Sequence, residues 1–171
     1  SGTTVSGAVT GTGALSLTGG SVAGNVSASG VVTINSSSID GTLTGGFGVL
    51  SLTGGSVAGN VSSSGSISTS GTTLGGTLTS SNGTISLSGG RVTGLVRSNC
   101  CSVTTNGTDL QGGARSDLSN LSITSGILAG TFYAGNNPAV FTGVTMTSGS
   151  VSGASTVIFT DSYVGSAESK V

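Results

Sequence analysis

The residues able to do chemistry in this chain are few, and their types exclude most reactions. The acids are Asp40, Asp109, Asp117, Asp161 and Glu168, and there is no histidine. Hydrolysis of a glycosidic bond needs two carboxylates facing one sugar. Asp109 and Asp117 are the closest pair, eight residues apart. Asp40 and Asp161 are distant from both, and Glu168 falls in the C-terminal tail. Without histidine there is no Ser-His-Asp relay. The adjacent pair Cys100 and Cys101, with no histidine to join them, is too small a set for a metal site. The expectation is a non-enzymatic protein with no cofactor.

The basic residues are Arg91, Arg97, Arg115 and Lys170. Four cations cannot neutralise a phosphate track, so nucleic acid is not an expected partner. No apolar run approaches the length of a membrane-spanning helix. The charges are nevertheless not scattered. Arg91 and Asp109 are 18 residues apart, as are Arg97 and Arg115, and Asp117 lies two beyond Arg115.

That spacing is the period of the whole chain. Residues 16–30 read SLTGGSVAGNVSASG and residues 51–65 read SLTGGSVAGNVSSSG, and a third copy begins at Ser86. Each 35-residue unit divides into steps of 17 and 18. One apolar column is Leu15, Val32, Leu50, Ile67, Ile85, Val103, Leu121, Ala139, Val157. Others run from Leu17 to Phe159, from Val5 to Val164 and from Val9 to Phe132. Glycine columns separate them, at Gly19, Gly54 and Gly89, at Gly24, Gly41 and Gly59, and at Gly13, Gly30 and Gly48. Glycine at corners predicts tight bends with positive φ.

Within each repeat, apolar and hydroxyl residues alternate with period two, the strand period. Glycine, serine and threonine are poor helix material. Each repeat predicts two short strands, one running unbroken through Val22, Gly24 and Val26, and a third, weaker one near the second corner. A single turn cannot bury its own inner face, so turns must stack about 4.8 Å apart. The predicted fold is an all-β, single-stranded β-solenoid, or parallel β-helix, of either hand. It is one domain over residues 1–171, with nine to ten turns of 17 or 18 residues.

Stacking converts spacing into neighbours. Arg91 falls beside Asp109, and Arg97 beside Arg115. This cluster predicts exposed cross-strand pairs worth a few tenths of a kcal/mol each, about the usual value, or a contact point for a neighbouring subunit or an anionic glycan. Cys101 takes a corner position held elsewhere by glycine, and Cys100 shares a column with Phe47 and Leu118, which predicts a partly buried corner. Ordinary disulfide geometry disfavours a bond between adjacent cysteines, so free thiols or an intermolecular bridge are expected. Ser16, Thr33, Ser51 and Thr104 form one outward hydroxyl column, and Thr18, Thr53, Ser88 and Thr124 belong to the next. Residues 132–171 diverge, with Phe132, Tyr133, Phe141, Phe159 and Tyr163 predicting a cap or an interface.

The SLTGG corner, the SVAGNV strand and the 17/18 step together resemble β-solenoid repeat proteins in general. They are similar to the Gly/Ser/Thr-rich coils of bacterial surface adhesins, autotransporter passengers and viral fibre or spike shafts. The six-residue left-handed repeat does not fit, since Arg91 and Arg97 fall on its apolar positions counted from Ile85. The calcium-binding nonapeptide repeat fails too, with only four Asp in the chain. The resemblance implies a structural or adhesive rod on an extracellular or virion surface. Its partners would be copies of itself, other structural subunits or glycans. The alternatives are an ice-binding protein using the hydroxyl face and a polysaccharide-degrading tailspike.

Overall fold

Strands of two to four residues, separated by glycine corners, are too short to be stable alone. In the computed structural model, which describes residues 2–169, each pairs in parallel with its counterpart in the coil before and after. Three ladders result. One is built from two-residue strands such as Ser21–Val22, one from three-residue strands such as Val26–Ala28, and one from four-residue strands such as Val32–Asn35. The four-residue ladder is a nine-stranded sheet. Its register runs Leu15, Val32, Leu50, Ile67, Ile85, Val103, Leu121, Ala139, Val157, the expected column. The chain is an all-β solenoid of about nine coils. At about 4.8 Å per coil the stack is roughly 40–45 Å long.

The core is a continuous axial column. Val32, Leu50, Ile85, Val103 and Leu121 are all fully buried, and so are Leu43, Leu78 and Val96 opposite them. Residues between them point outward, as the alternation requires.

The strand expected to run through Val22, Gly24 and Val26 is broken in two. The chain bends at Gly24, where an added Cβ would lie 2.6 Å from the backbone of Gly7 in the coil below. Gly59 repeats this against Gly41, at 2.6 Å. The second corner behaves alike, with a Cβ on Gly30 reaching 2.8 Å from Gly13. Here glycine is needed for close axial approach of two backbones, not for positive φ. Positive φ appears at scattered C-terminal positions such as Gly113, Gly130 and Gly149, but it recurs regularly at the corner after the four-residue strand. There every coil has it, including Ser36 at 50°, Ser125 at 56° and Asp161 at 49° beside six glycines.

The 35-residue unit has a physical basis in the next position of that corner. Gly20, Gly55 and Gly90 alternate with Ser37, Thr72 and Thr108. The hydroxyls bond to the carbonyls of Gly19, Gly54 and Gly89 at 3.2, 3.3 and 3.0 Å. The glycines have φ of +86°, +68° and +75°, and a side chain on them would collide with a carbonyl of the coil below. Asn25 and Asn60 share the period because each accepts the N–H of Thr42 or Thr77 in the next coil, both at 2.9 Å.

Buried hydroxyls line a second corner. Ser80, Ser98 and Ser116 each bond to a carbonyl of the coil below, Gly65, Gly83 and Cys101, all at 2.9 Å. Thr105 breaks this economy. It occupies the apolar column of Leu87 and Ile123, it is 1% exposed, and its Oγ1 has no partner. Thr105→Val keeps the shape and removes the orphaned hydroxyl. It is expected to stabilise the fold by about 1–2 kcal/mol, read as a higher urea midpoint at unchanged slope. A lower midpoint would refute this.

The cysteines depart from expectation. Cys100 and Cys101 are bonded to each other, and neither is free. In an extended strand adjacent side chains point to opposite faces. These two lie in the bend over residues 99–101, which brings them to one side. Both cysteines are half-buried, as expected of that corner, although their column neighbours Phe47 and Leu118 are 85% and 71% exposed.

In the C-terminal coils the middle strand merges with the two-residue strand into Thr145–Ser152. Phe132 pairs with Val151, a step of 19, so one residue is inserted. Phe132 and Phe141 meet edge-on at 5.6 Å, and Phe141 stacks on Phe159 at 4.8 Å. Phe132 is fully buried and offers no surface to a partner, which corrects its reading as an interface residue. The side chain of Glu168 lies outside the described residues.

Candidate functional site

The three-residue ladder carries one outward position per coil at its centre. Thr44, Ser62, Thr79, Arg97, Arg115, Tyr133 and Ser152 follow one another there. Two arginines thus stand opposite each other on adjacent strands, an arrangement that by itself is repulsive. Asp117, at the corner just after Arg115, resolves it. Arg97 donates to Asp117 Oδ2 from Nε at 3.0 Å and from Nη2 at 2.7 Å. Arg115 donates from Nε to Asp117 Oδ1. Its guanidinium carbon also lies 4.3 Å from the centroid of the Tyr133 ring, a cation–π contact. The ring also lies against Gly153, where an added Cβ would collide with it.

Burial raises the Asp117 pKa, but the hydrogen bonds and charges of Arg97 and Arg115 outweigh it and hold the carboxyl below 3.8. A depressed pKa means stability present at neutral pH and lost as pH falls through the folded value. The carboxylate is 15% exposed, while the Arg97 and Arg115 side chains remain 44% and 40% exposed.

Arg91 and Asp109 are opposite in register, as the 18-residue step predicts. Asp109 does not turn to the arginine. Its carboxylate accepts the N–H of Ile127 in the following coil at 3.0 Å. Among the described residues the ion pairs both converge on Asp117. Asp109 and Asp117 therefore have different partners, a backbone N–H in one case and two guanidinium groups in the other.

The spacing between Arg115 and Tyr133 was legible as one more 18-residue step, but their ring contact was not. It depends on Gly153, where a side chain would collide with the ring.

The outer face of the nine-stranded sheet is the second feature. Thr18, Thr33, Thr53, Thr104 and Thr124 are all exposed along it. None of its strands carries a charged residue. A cavity of about 310 Å³ opens at the first coils among Thr3, Val5, Leu17 and Val22, without a titratable group. No family model, no curated protein and no solved structure matches this chain.

Proposed function

We propose that this chain is a non-enzymatic structural rod of an extracellular or virion surface, a fibre, spike or adhesin segment that assembles with copies of itself or with other structural subunits. The observation that carries this reading is the unbroken register of the parallel ladders along the axis. Such a stack transmits load through backbone hydrogen bonds, and every coil is supported by its neighbours. The vicinal disulfide adds support, since such bonds persist in oxidising compartments. The surface is poor in charge and rich in hydroxyls, suited to hydrogen bonding with glycans or neighbouring copies.

The test is electron microscopy of the purified protein across a concentration series, with sedimentation in parallel. Rods that add end to end or side by side are expected. Particles that stay monomeric at every concentration would overturn the assembly reading.

The flat, uncharged threonine and serine face favours ice binding as a second reading. Thermal hysteresis with faceted ice crystals would support it, and ice growth indistinguishable from buffer would remove it.

A further inference from the structure

The charged cluster has more cation than its structural task requires. One arginine would suffice to pair with Asp117. Two have been placed directly opposite each other, in a chain with four basic residues altogether, and the group keeps a net positive charge. Arg97 uses Nε and Nη2 on the carboxylate, and Arg115 uses Nε. Nη1 of Arg97 and both Nη groups of Arg115 have no hydrogen-bond partner among the described residues. They belong to side chains 44% and 40% exposed.

These donors are also held in place. Arg115 is fixed between the Asp117 carboxylate and the Tyr133 ring, and that ring is seated on Gly153. Arg97 is fixed by two N–H groups on one oxygen. Preorganised guanidinium forks match the planar geometry of carboxylates and the oxygens of sulfate, and holding them in advance lowers the cost of binding.

The surroundings select the kind of molecule that brings the anion. Thr44, Ser62 and Thr79 continue the same outward column, one coil apart, so the arginines stand at the end of a hydroxyl track. The outward positions Thr44, Ser62 and Thr79 carry hydroxyls and no aromatic side chain, and the Tyr133 ring is already engaged by Arg115. Hydroxyls that both donate and accept match the hydroxyls of a saccharide chain.

We propose that Arg97 and Arg115 form a binding site for the carboxylate or sulfate groups of an acidic polysaccharide. Thr79 and Ser62 contact the neighbouring sugar hydroxyls, and Asp117 stays in place, holding the arginines so that their remaining Nη groups serve the ligand. This rests on the reading of the chain as a surface rod and gives that rod a ligand class.

The experiment measures binding of the full chain by calorimetry at low salt. The probes are a sulfated oligosaccharide, a polyuronate, neutral dextran and inorganic sulfate at matched anion concentration. Binding to one of the two acidic saccharides, but not to dextran, is expected, and the arm that binds identifies sulfate or carboxylate as the group. The variant R97S/R115S should lose about tenfold or more in affinity with an unchanged circular dichroism spectrum. D117N, which loses the carboxylate that fixes both arginines, should bind a few-fold more weakly, about the loss expected from preorganisation.

Equal binding of dextran, equal binding of inorganic sulfate, or full affinity in the double variant would overturn the proposal. So would equal or tighter binding by D117N. Microscopy of the double variant separates this from the rod itself. Intact assembly with lost saccharide binding is the expected pair of results. Lost assembly would make the cluster a subunit contact, overturning the saccharide site while leaving the rod reading intact.

Discussion

Gly55→Ala is expected to cost about 2–5 kcal/mol, the sum of a left-handed backbone penalty of about 1–2 and an overpacking penalty of about 1–3. Gly55 has φ +68°, and its added methyl would collide with the carbonyl oxygen of Ser37 in the coil below. Neither group can give way, because Ser56 N–H donates to that same carbonyl at 3.0 Å. Two controls separate the causes. Gly71 has φ +61° with open space around it, so Gly71→Ala should cost only the backbone share, about 1–2 kcal/mol. Gly13 has open space and no positive φ, so Gly13→Ala should fall within about 0.5 kcal/mol of the parent. Urea denaturation gives the three values. Amide exchange should show the Gly55 loss concentrated in the coils on either side, because a solenoid is stabilised by nearest-neighbour interfaces. Equal effects at Gly55 and Gly71 would dismiss the collision as the cause.

Phe141→Ala is expected to be of similar size, about 3–5 kcal/mol. Phe141 is fully buried and joins two aromatic contacts, edge-on to Phe132 and stacked on Phe159. Its removal opens a cavity in the axis at the point where the strand Thr156–Thr160 is attached to Pro138–Thr142. The C-terminal coils should fray first, with proteolysis appearing between residues 156 and 169 while the coils before Leu121 stay protected. Phe159→Ala should cost less, because that ring is 36% exposed. Phe141→Leu, which retains most of the volume, should recover to within about 1.5 kcal/mol. A Phe141→Ala protein that melts like the parent would mean the ring column carries no axial load.

Much of the fold was legible because a stacked coil turns sequence spacing directly into spatial neighbours. A residue 17 or 18 positions away is the next atom along the axis, so the apolar column from Leu15 to Val157 appears unchanged as the register of the sheet. The same rule placed Arg97 beside Arg115 and Arg91 beside Asp109. It could not say which neighbours touch. Arg91 and Asp109 share a column without pairing, because a backbone N–H of the following coil offers the carboxylate a closer partner.

The sequence by itself therefore determined the period, the inner and outer faces and the parallel stacking. All of these follow from a two-residue side-chain alternation repeated at a fixed interval. Only the tertiary structure decided what each special residue does at its corner. It set the corner after the four-residue strand at positive φ and brought the Gly24 and Gly30 columns into close backbone approach. It joined Cys100 to Cys101 in a bend and buried Phe132. It also turned the Asp117 carboxylate onto both arginines and laid Arg115 over the Tyr133 ring. Those outcomes depend on the gap between neighbouring backbones and on side-chain direction at a bend. Both are set when coils stack, and neither is written in the spacing of residues along the chain.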